Sequence, residues 1–231
     1  MVKDKMMALN VYVLAGVKQF TYENGRFPQD LAELKDAGLL LQRPYNYISG
    51  REVPLDGSSR EDGDLWLESV GDTGMEIVLR TPEKPIRTSF STLPKPRLVS
   101  PHSDFLSNPL AANVKAYYGQ PIHRTLFYMA SIIEEAYQSS GAGTLDEFKA
   151  SAFFPGLDYA VNPFTGKPLK MEASPGNFTM WEKEGKVYLE WYDQEGLVIP
   201  DPHVLLGEIP DYEAGTPGQL ARMPILLCRG C

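Results

Sequence analysis

Few side chains in this chain stand where chemistry would need them. The two cysteines, Cys228 and Cys231, end it as a C-x-x-C. A redox pair needs its first thiol near a helix N-terminus to lower the thiol pKa, and a zinc site needs two further ligands. The residues around them supply neither context. The readings, in order, are an exposed pair or a small local disulfide, an intermolecular disulfide, and last metal or redox chemistry. The histidines His102, His123 and His203 are isolated from one another, with no HExxH spacing, and read as surface or loop residues. No G-x-S-x-G elbow occurs. Gly166-Lys167 fails as a phosphate loop, because Pro168 stands where the metal-binding hydroxyl belongs and Val161 where the first glycine belongs. Glu134-Glu135 offers two carboxylates, but neighbours on a helix point about 100° apart, so both are expected to face solvent. No catalytic residue is assigned.

Composition narrows the classes further. With 43% hydrophobic and 23% charged residues the chain can build a real core, so wholesale disorder is not expected. A net charge of −8 repels phosphate backbones and anionic lipid, which argues against a nucleic-acid partner. No apolar run reaches the roughly 20 residues needed to span a bilayer, and Met1-Val2-Lys3-Asp4-Lys5 lacks a signal peptide's apolar stretch. Two explanations fit: a cytoplasmic protein, or the soluble part of one whose membrane segment is absent from this chain.

The elements that would position any site occur in two stretches that match in order. In the first, Met6, Leu9, Val13, Val17 and Phe20 recur about one helical turn apart; in the second, Leu126, Met129, Ile133 and Tyr137 do so, widened by Ala130, Ile132 and Ala136. Each spacing predicts a long amphipathic helix burying one stripe. The helices approach their ends at Tyr22 and Tyr137, before Asn24-Gly25 and Ser139-Ser140-Gly141. A short helix follows each. Pro28 presets the first turn ahead of Leu31 and Leu34, with Gly38 as terminator, while Thr144 and Glu147 are spaced as a capping box ahead of Phe148. Then come proline-bounded turns, Pro44 to Leu55 and Asn162 to Leu169, which share a polar-Gly-basic core followed by Pro-Leu. Strands are predicted over Asp64–Glu68, Met75–Arg80, Phe178–Glu182 and Lys186–Tyr192, paired as hairpins. Trp66 and Trp181 occupy comparable places in these hairpins and are expected in the core.

The stretch from Thr81 to Pro101 holds Pro82, Pro85, Pro94, Pro96 and Pro101 among basic residues, which predicts a semi-rigid linker or an extended edge. Pro109 to Tyr118 reads as a short helix, and the proline-rich tail after Gly196 as a strap across the second module. The expected organisation is α+β, with residues 1–98 as one module plus linker and 99–231 as a second plus tail.

Tyr22-Glu-Asn-Gly-Arg-Phe-Pro28, followed by Leu31, Leu34 and Gly38, resembles the ectodomain of type II secretion major pseudopilins and related type IV pilin-like proteins. Asn162-Pro163-Phe164-Thr165-Gly166-Lys167-Pro168-Leu169 is similar to that family's turn into its sheet. The resemblance implies a long helix packed on a small antiparallel sheet, and a non-enzymatic, extracytoplasmic or periplasmic assembly protein. Its partners would be other pilin-like or secretion-system subunits, and it would reach a membrane only through a segment absent here. Family members open with a leader and a membrane helix and usually carry one module, so this chain departs on both counts. The family's calcium loop finds its nearest candidates in Asp62 and Asp64, or Asp193 and Glu195; Asp56-Gly57-Ser58-Ser59-Arg60 departs from an EF-hand at its third ligand. No other cofactor is implied. Two rivals remain. One is a soluble binding module whose copies form a cleft for a small molecule or peptide, lined by Tyr45, Tyr47, Tyr159 and Phe164. The other is an enzyme with a distributed site.

Overall fold

Helix α1 runs from Val2 to Asn24, longer at both ends than the apolar spacing predicts. It does not bury a single stripe. From Leu9 to Val17 every residue is buried, and the polar Asn10, Gln19 and Thr21 are buried with them. A helix covered all round is a core helix rather than a surface one. The donors of these polar residues find partners: Asn10 donates to Thr88 Oγ1 at 3.4 Å, Gln19 to Glu23 at 2.8 Å, and the Thr21 hydroxyl to Val17 O at 2.6 Å, whereas the buried Asn10 Oδ1 and Gln19 Oε1 accept no hydrogen bond among the described residues. Tyr12, fully buried, accepts the Gln42 N–H at 3.0 Å, and burial pushes its phenol well above the usual range.

The computed structural model describes residues 2–71, 73–94, 121–154, 160–196 and 225–227. They form an α+β protein with small antiparallel sheets. Two compact units are present. The first gathers described residues up to 94 with 131–140, 151–154 and 160; the second takes 121–130, 141–150, 161–196 and 225–227.

In the first unit α1 packs on a three-stranded sheet. A two-residue hairpin, β1 (Tyr45–Asn46) with β2 (Arg51–Glu52), precedes it. The sheet has the order β3 (Leu65–Val70), β4 (Gly74–Leu79), β5 (Ile86–Phe90), antiparallel throughout. Met75, Ile77 and Leu79 alternate inward from β4, opposite Leu65 of β3, as a half-buried strand requires. Strand β5 corrects the reading of Thr81 to Pro101 as linker, although its place at the sheet edge keeps the extended-edge alternative. Pro82 and Pro85 precede the paired segment, so no ladder donor is lost. Helix α2 (Leu31–Asp36) is capped by Asp30, whose carboxylate accepts the Glu33 N–H at 2.9 Å, while Glu33 accepts the Gln29 N–H. Asp30 therefore does the work assigned to Pro28.

In the second unit the order is β6 (Phe178–Lys183), β7 (Lys186–Trp191), β8 (Ile225–Leu227), again antiparallel. Helix α3 spans Pro121–Ser140, with residues 121–130 in this unit and 131–140 in the first, and α4 spans Leu145–Ala150. The capping box forms: Thr144 Oγ1 accepts the Glu147 N–H at 3.2 Å, and Glu147 accepts the Gly143 and Thr144 N–H groups. Glu182 of β6 accepts the Leu145 N–H at 3.0 Å, placing negative charge at the start of α4. Part of the tail, read as a strap, supplies β8; the helix expected over 109–118 lies outside the described residues. Among the described residues no helix is long and apolar enough to cross a membrane.

Candidate functional site

The most elaborate constellation in the first unit grows from one asparagine. Asn46 closes the turn after β1 by accepting the Ile48 and Ser49 N–H groups on Oδ1, both at 2.9 Å, while its own carbonyl accepts Gly50 N–H. Its amide Nδ2 then reaches Asp62 O at 3.0 Å and Asp64 Oδ1 at 2.8 Å. Gly63 lies against this amide at φ +91°, where a Cβ would collide with Asn46 Oδ1, so the close approach requires glycine. The foot of the hairpin is sealed by Gly63 N–H to Arg80 O and Arg80 N–H to Asp64 O, each at 2.9 Å.

Asp64 is the buried end of this clasp. Its carboxylate accepts from Ser59 Oγ at 2.5 Å, Glu61 N–H at 3.0 Å, and Arg51 Nη2 at 2.9 and 3.2 Å, besides Asn46. Burial pushes its pKa up, but the bonds from Ser59, Asn46 and Glu61 with the Arg51 charge outweigh that, and the carboxyl sits below the usual range. Arg51 also pairs with Glu61 at 3.0 Å.

The second unit builds the same set of bonds around Asn162. Oδ1 accepts Phe164 and Thr165 N–H at 2.9 and 3.2 Å, the carbonyl accepts Gly166 N–H, and Nδ2 donates to Pro175 O at 2.7 Å. Gly176, at φ +72°, takes the position of Gly63: a Cβ there would stand 2.5 Å from Asn162 Oδ1. Gly176 N–H and Tyr192 O, with Tyr192 N–H and Asn177 O, seal the hairpin foot. Where the first clasp has a buried carboxylate, this one has Asn177, donating to Glu172 and Ser174 and accepting Lys170 N–H. Only the turns were visible in sequence. The Gly63-Asp64 and Gly176-Asn177 partners were missed; the signal was a glycine followed by a polar residue at the start of each hairpin.

The acidic candidates are largely engaged by protein donors. Asp64 faces Arg51 and Asp62 accepts from Arg80 Nε at 3.3 Å, so a cation would have to displace a guanidinium. Asp56 accepts the Ser58 N–H at 3.0 Å. Asp193 is buried and caps a tight turn, accepting Glu195 N–H at 3.0 Å, with Glu195 itself exposed. Among the described residues no three His, Cys, Asp or Glu side chains gather as a metal-binding group. His102, His203, Cys228, Cys231 and Tyr159 lie outside the described residues, and His123 falls on α3. Tyr45 and Tyr47 pair edge to face at 5.3 Å, while Phe164 packs beside Gly176.

Two expectations need correction. Glu134 and Glu135 do not face solvent: Glu134 is buried, and Glu135 pairs with Lys18 of α1 at 2.7 Å. The helix there is covered on more than one side, as α1 is. Trp181 is not a core residue. With Phe178 and Met180 inward, the strand's alternation turns Trp181 outward, where it is half-buried and stacks on Tyr188 at 4.3 Å. Trp191 fills the core instead, stacked on Phe178 at 5.8 Å. Trp66 is buried as expected, beneath the Arg60 guanidinium at 4.2 Å.

The outward faces of the two sheets differ. On the first, Arg87 bridges Glu68 and Glu76, and Ser89 donates to Glu76. On the second, Trp181 and Tyr188 lie beside a polar cluster in which Thr179 and Tyr192 both bond Glu190 Oε2, at 3.1 and 3.2 Å. Burial first, then the Glu190 charge, raises the Tyr192 phenol's pKa despite the Thr179 bond. Comparison with known protein families, with curated proteins and with solved structures finds no match to this chain.

Proposed function

We propose that this chain is a non-enzymatic assembly or interaction protein made of two copies of one pilin-like module, acting outside the cytoplasm beside pilin-like or secretion-system subunits. The observation that carries the reading is the clasp formed twice: Asn46 with Gly63 and Asn162 with Gly176, each joining the turn after a capped short helix to the foot of a hairpin. Two unrelated domains have no reason to meet the same backbone needs with the same residue types in the same order. The one buried acid of the clasps, Asp64, holds structure rather than stands ready for proton transfer, since it is surrounded by donors and paired with Arg51. The outward sheet faces, one charged and one aromatic, are the surfaces on which two copies would differ in what they contact.

The test has two arms in the source cells. Fractionation should recover the protein with the envelope or periplasm. A photo-crosslinker placed at Val70, which is 48% exposed on an edge strand, should yield adducts with pilin-like or secretion subunits. Recovery in the cytosol, or adducts confined to soluble cytosolic proteins, overturns the reading.

A further inference from the structure

A cavity of about 400 Å³ opens within the first unit, between the first turns of α1, the β1–β2 turn and the loop entering β5. That volume lies within the range of small-molecule sites, about 300 to 1,000 Å³. Its walls are aliphatic: Val2 and Met6 from α1, Ile48 from the turn, Pro82 and Ile86 from the loop. Val2 and Ile48 keep 45% and 42% of their surface exposed, an arrangement that leaves apolar area uncovered where α1 meets the turn.

The walls are held by bonds that need no ligand. Ile48 is placed by its N–H on Asn46 Oδ1 at 2.9 Å. The loop is closed by Thr81, whose hydroxyl donates to Lys84 O at 2.6 Å and accepts Lys84 N–H at 3.2 Å. Lys5 lies over the Tyr47 ring, 5.0 Å from its centroid, tying α1 to the turn. The site is therefore preformed, which reduces the ordering cost of binding.

The charges lining it select the ligand. Lys3 and Lys84 face the cavity against Glu83 alone, a local positive excess on a chain whose net charge is −8. An aliphatic wall beside two ammonium groups fits a molecule with an apolar tail and one negative end. We infer that this cavity binds a small amphipathic anion, an aliphatic chain ended by a carboxylate, with its tail against Val2, Ile48 and Ile86 and its headgroup at Lys3 and Lys84. Nothing in this depends on whether the chain assembles with pilin-like subunits.

Calorimetric titration of the full chain with dodecanoate, below its micelle-forming concentration, tests the site. Binding should saturate at one molecule per chain. From octanoate upward, affinity should rise about four-fold per methylene until the cavity is filled, the gain expected from burying one CH₂. Ile48→Asp should weaken dodecanoate at least ten-fold, and Lys84→Glu several-fold while improving dodecyltrimethylammonium. Both positions are exposed, and circular dichroism checks that each variant folds. The inference is overturned if no saturable one-to-one binding occurs, if folded Ile48→Asp binds as tightly as the parent, or if dodecyltrimethylammonium binds the parent as well as dodecanoate.

Discussion

The clasps around Asn46 and Asn162 share their backbone bonds but differ in what they bury. In the first, Nδ2 of the asparagine holds a backbone carbonyl and the Asp64 carboxylate together, and Arg51 and Ser59 complete an ionic cluster. In the second, Nδ2 holds Pro175 O, and the residue after the glycine is the neutral Asn177. Closing the turn and passing the strand close by requires an asparagine and a glycine. The next residue is free to be acid or amide, provided the local loop supplies donors or acceptors to match.

The largest effects should come from the glycines. Gly63→Ala and Gly176→Ala each force a side chain into the left-handed region, at about 1–2 kcal/mol, and push the asparagine out of its bonds. We expect each to lose more than about 3 kcal/mol in urea unfolding. Gly63→Ala should cost more, because displacing Asn46 also uncouples Asp64. A near-neutral Gly63→Ala would break the idea that the two clasps are rigid.

Next comes Asn→Asp at the head of each turn, which keeps the acceptor and removes the amide donor. Asn162→Asp loses one bond to Pro175 O, about 1–2 kcal/mol. Asn46→Asp loses two bonds and sets a second carboxylate against Asp64, about 2–4 kcal/mol at neutral pH. Equal losses in thermal or urea unfolding would mean that Asp64 is not the distinguishing feature.

These differences also explain what could be read without coordinates. Asn162-Pro163-Phe164-Thr165-Gly166 and Asn46-Tyr47-Ile48-Ser49-Gly50 were legible because an asparagine turn is local: donor, acceptor and glycine lie within five residues. Their clasp partners lie much further along the chain, and no spacing rule connects them. The Thr144–Glu147 cap was legible for the same local reason, whereas Asp30 was hidden behind Pro28. Strand β5 alternates Ile86, Thr88 and Phe90 inward, but flanking prolines argued for linker. Burial round the whole of α1 could not be read from its apolar spacing, because Asn10 and Gln19 broke the run on faces that tertiary contacts nevertheless cover. Trp181 was assigned by residue type; the phase set by Phe178 and Met180 pointed the other way.

A pH titration sharpens the comparison with a smaller effect. The Asp64 carboxyl lies below its ordinary value, so the folded state binds a proton less readily than the unfolded chain does. Its contribution is fully present above the unfolded pKa, near about 4, and is lost as pH falls through the folded value. Asp64→Asn, which copies Asn177, should remove that segment of the acid limb. The gap between parent and variant in urea midpoint should be constant above about pH 5 and shrink below about pH 4. A gap that is flat across the acid range would mean that the bonds from Ser59, Asn46 and Glu61 and the Arg51 charge do not favour the ionised Asp64.

The smallest expected effect lies on the outward faces, where the two sheets differ most. Trp66 is sealed under Arg60, so truncating it empties a buried position. Trp181 rests on Tyr188 across the β6–β7 pair with its outer side partly open, so its stabilising contacts come mainly from that one ring. A double-mutant cycle of Trp181→Ala and Tyr188→Ala should return a coupling of about 0.5–1.5 kcal/mol, the value of an aromatic cross-strand pair. If Trp181 were core, as its residue type suggested, the single Trp181→Ala change would cost about 3–5 kcal/mol, and coupling to Tyr188 would account for little of it. The ratio of coupling to total loss therefore distinguishes a surface stack from a buried side chain. It also states in energy what separates the two faces: the first sheet hides its tryptophan beneath a cation, and the second leaves its own partly open beside Tyr188.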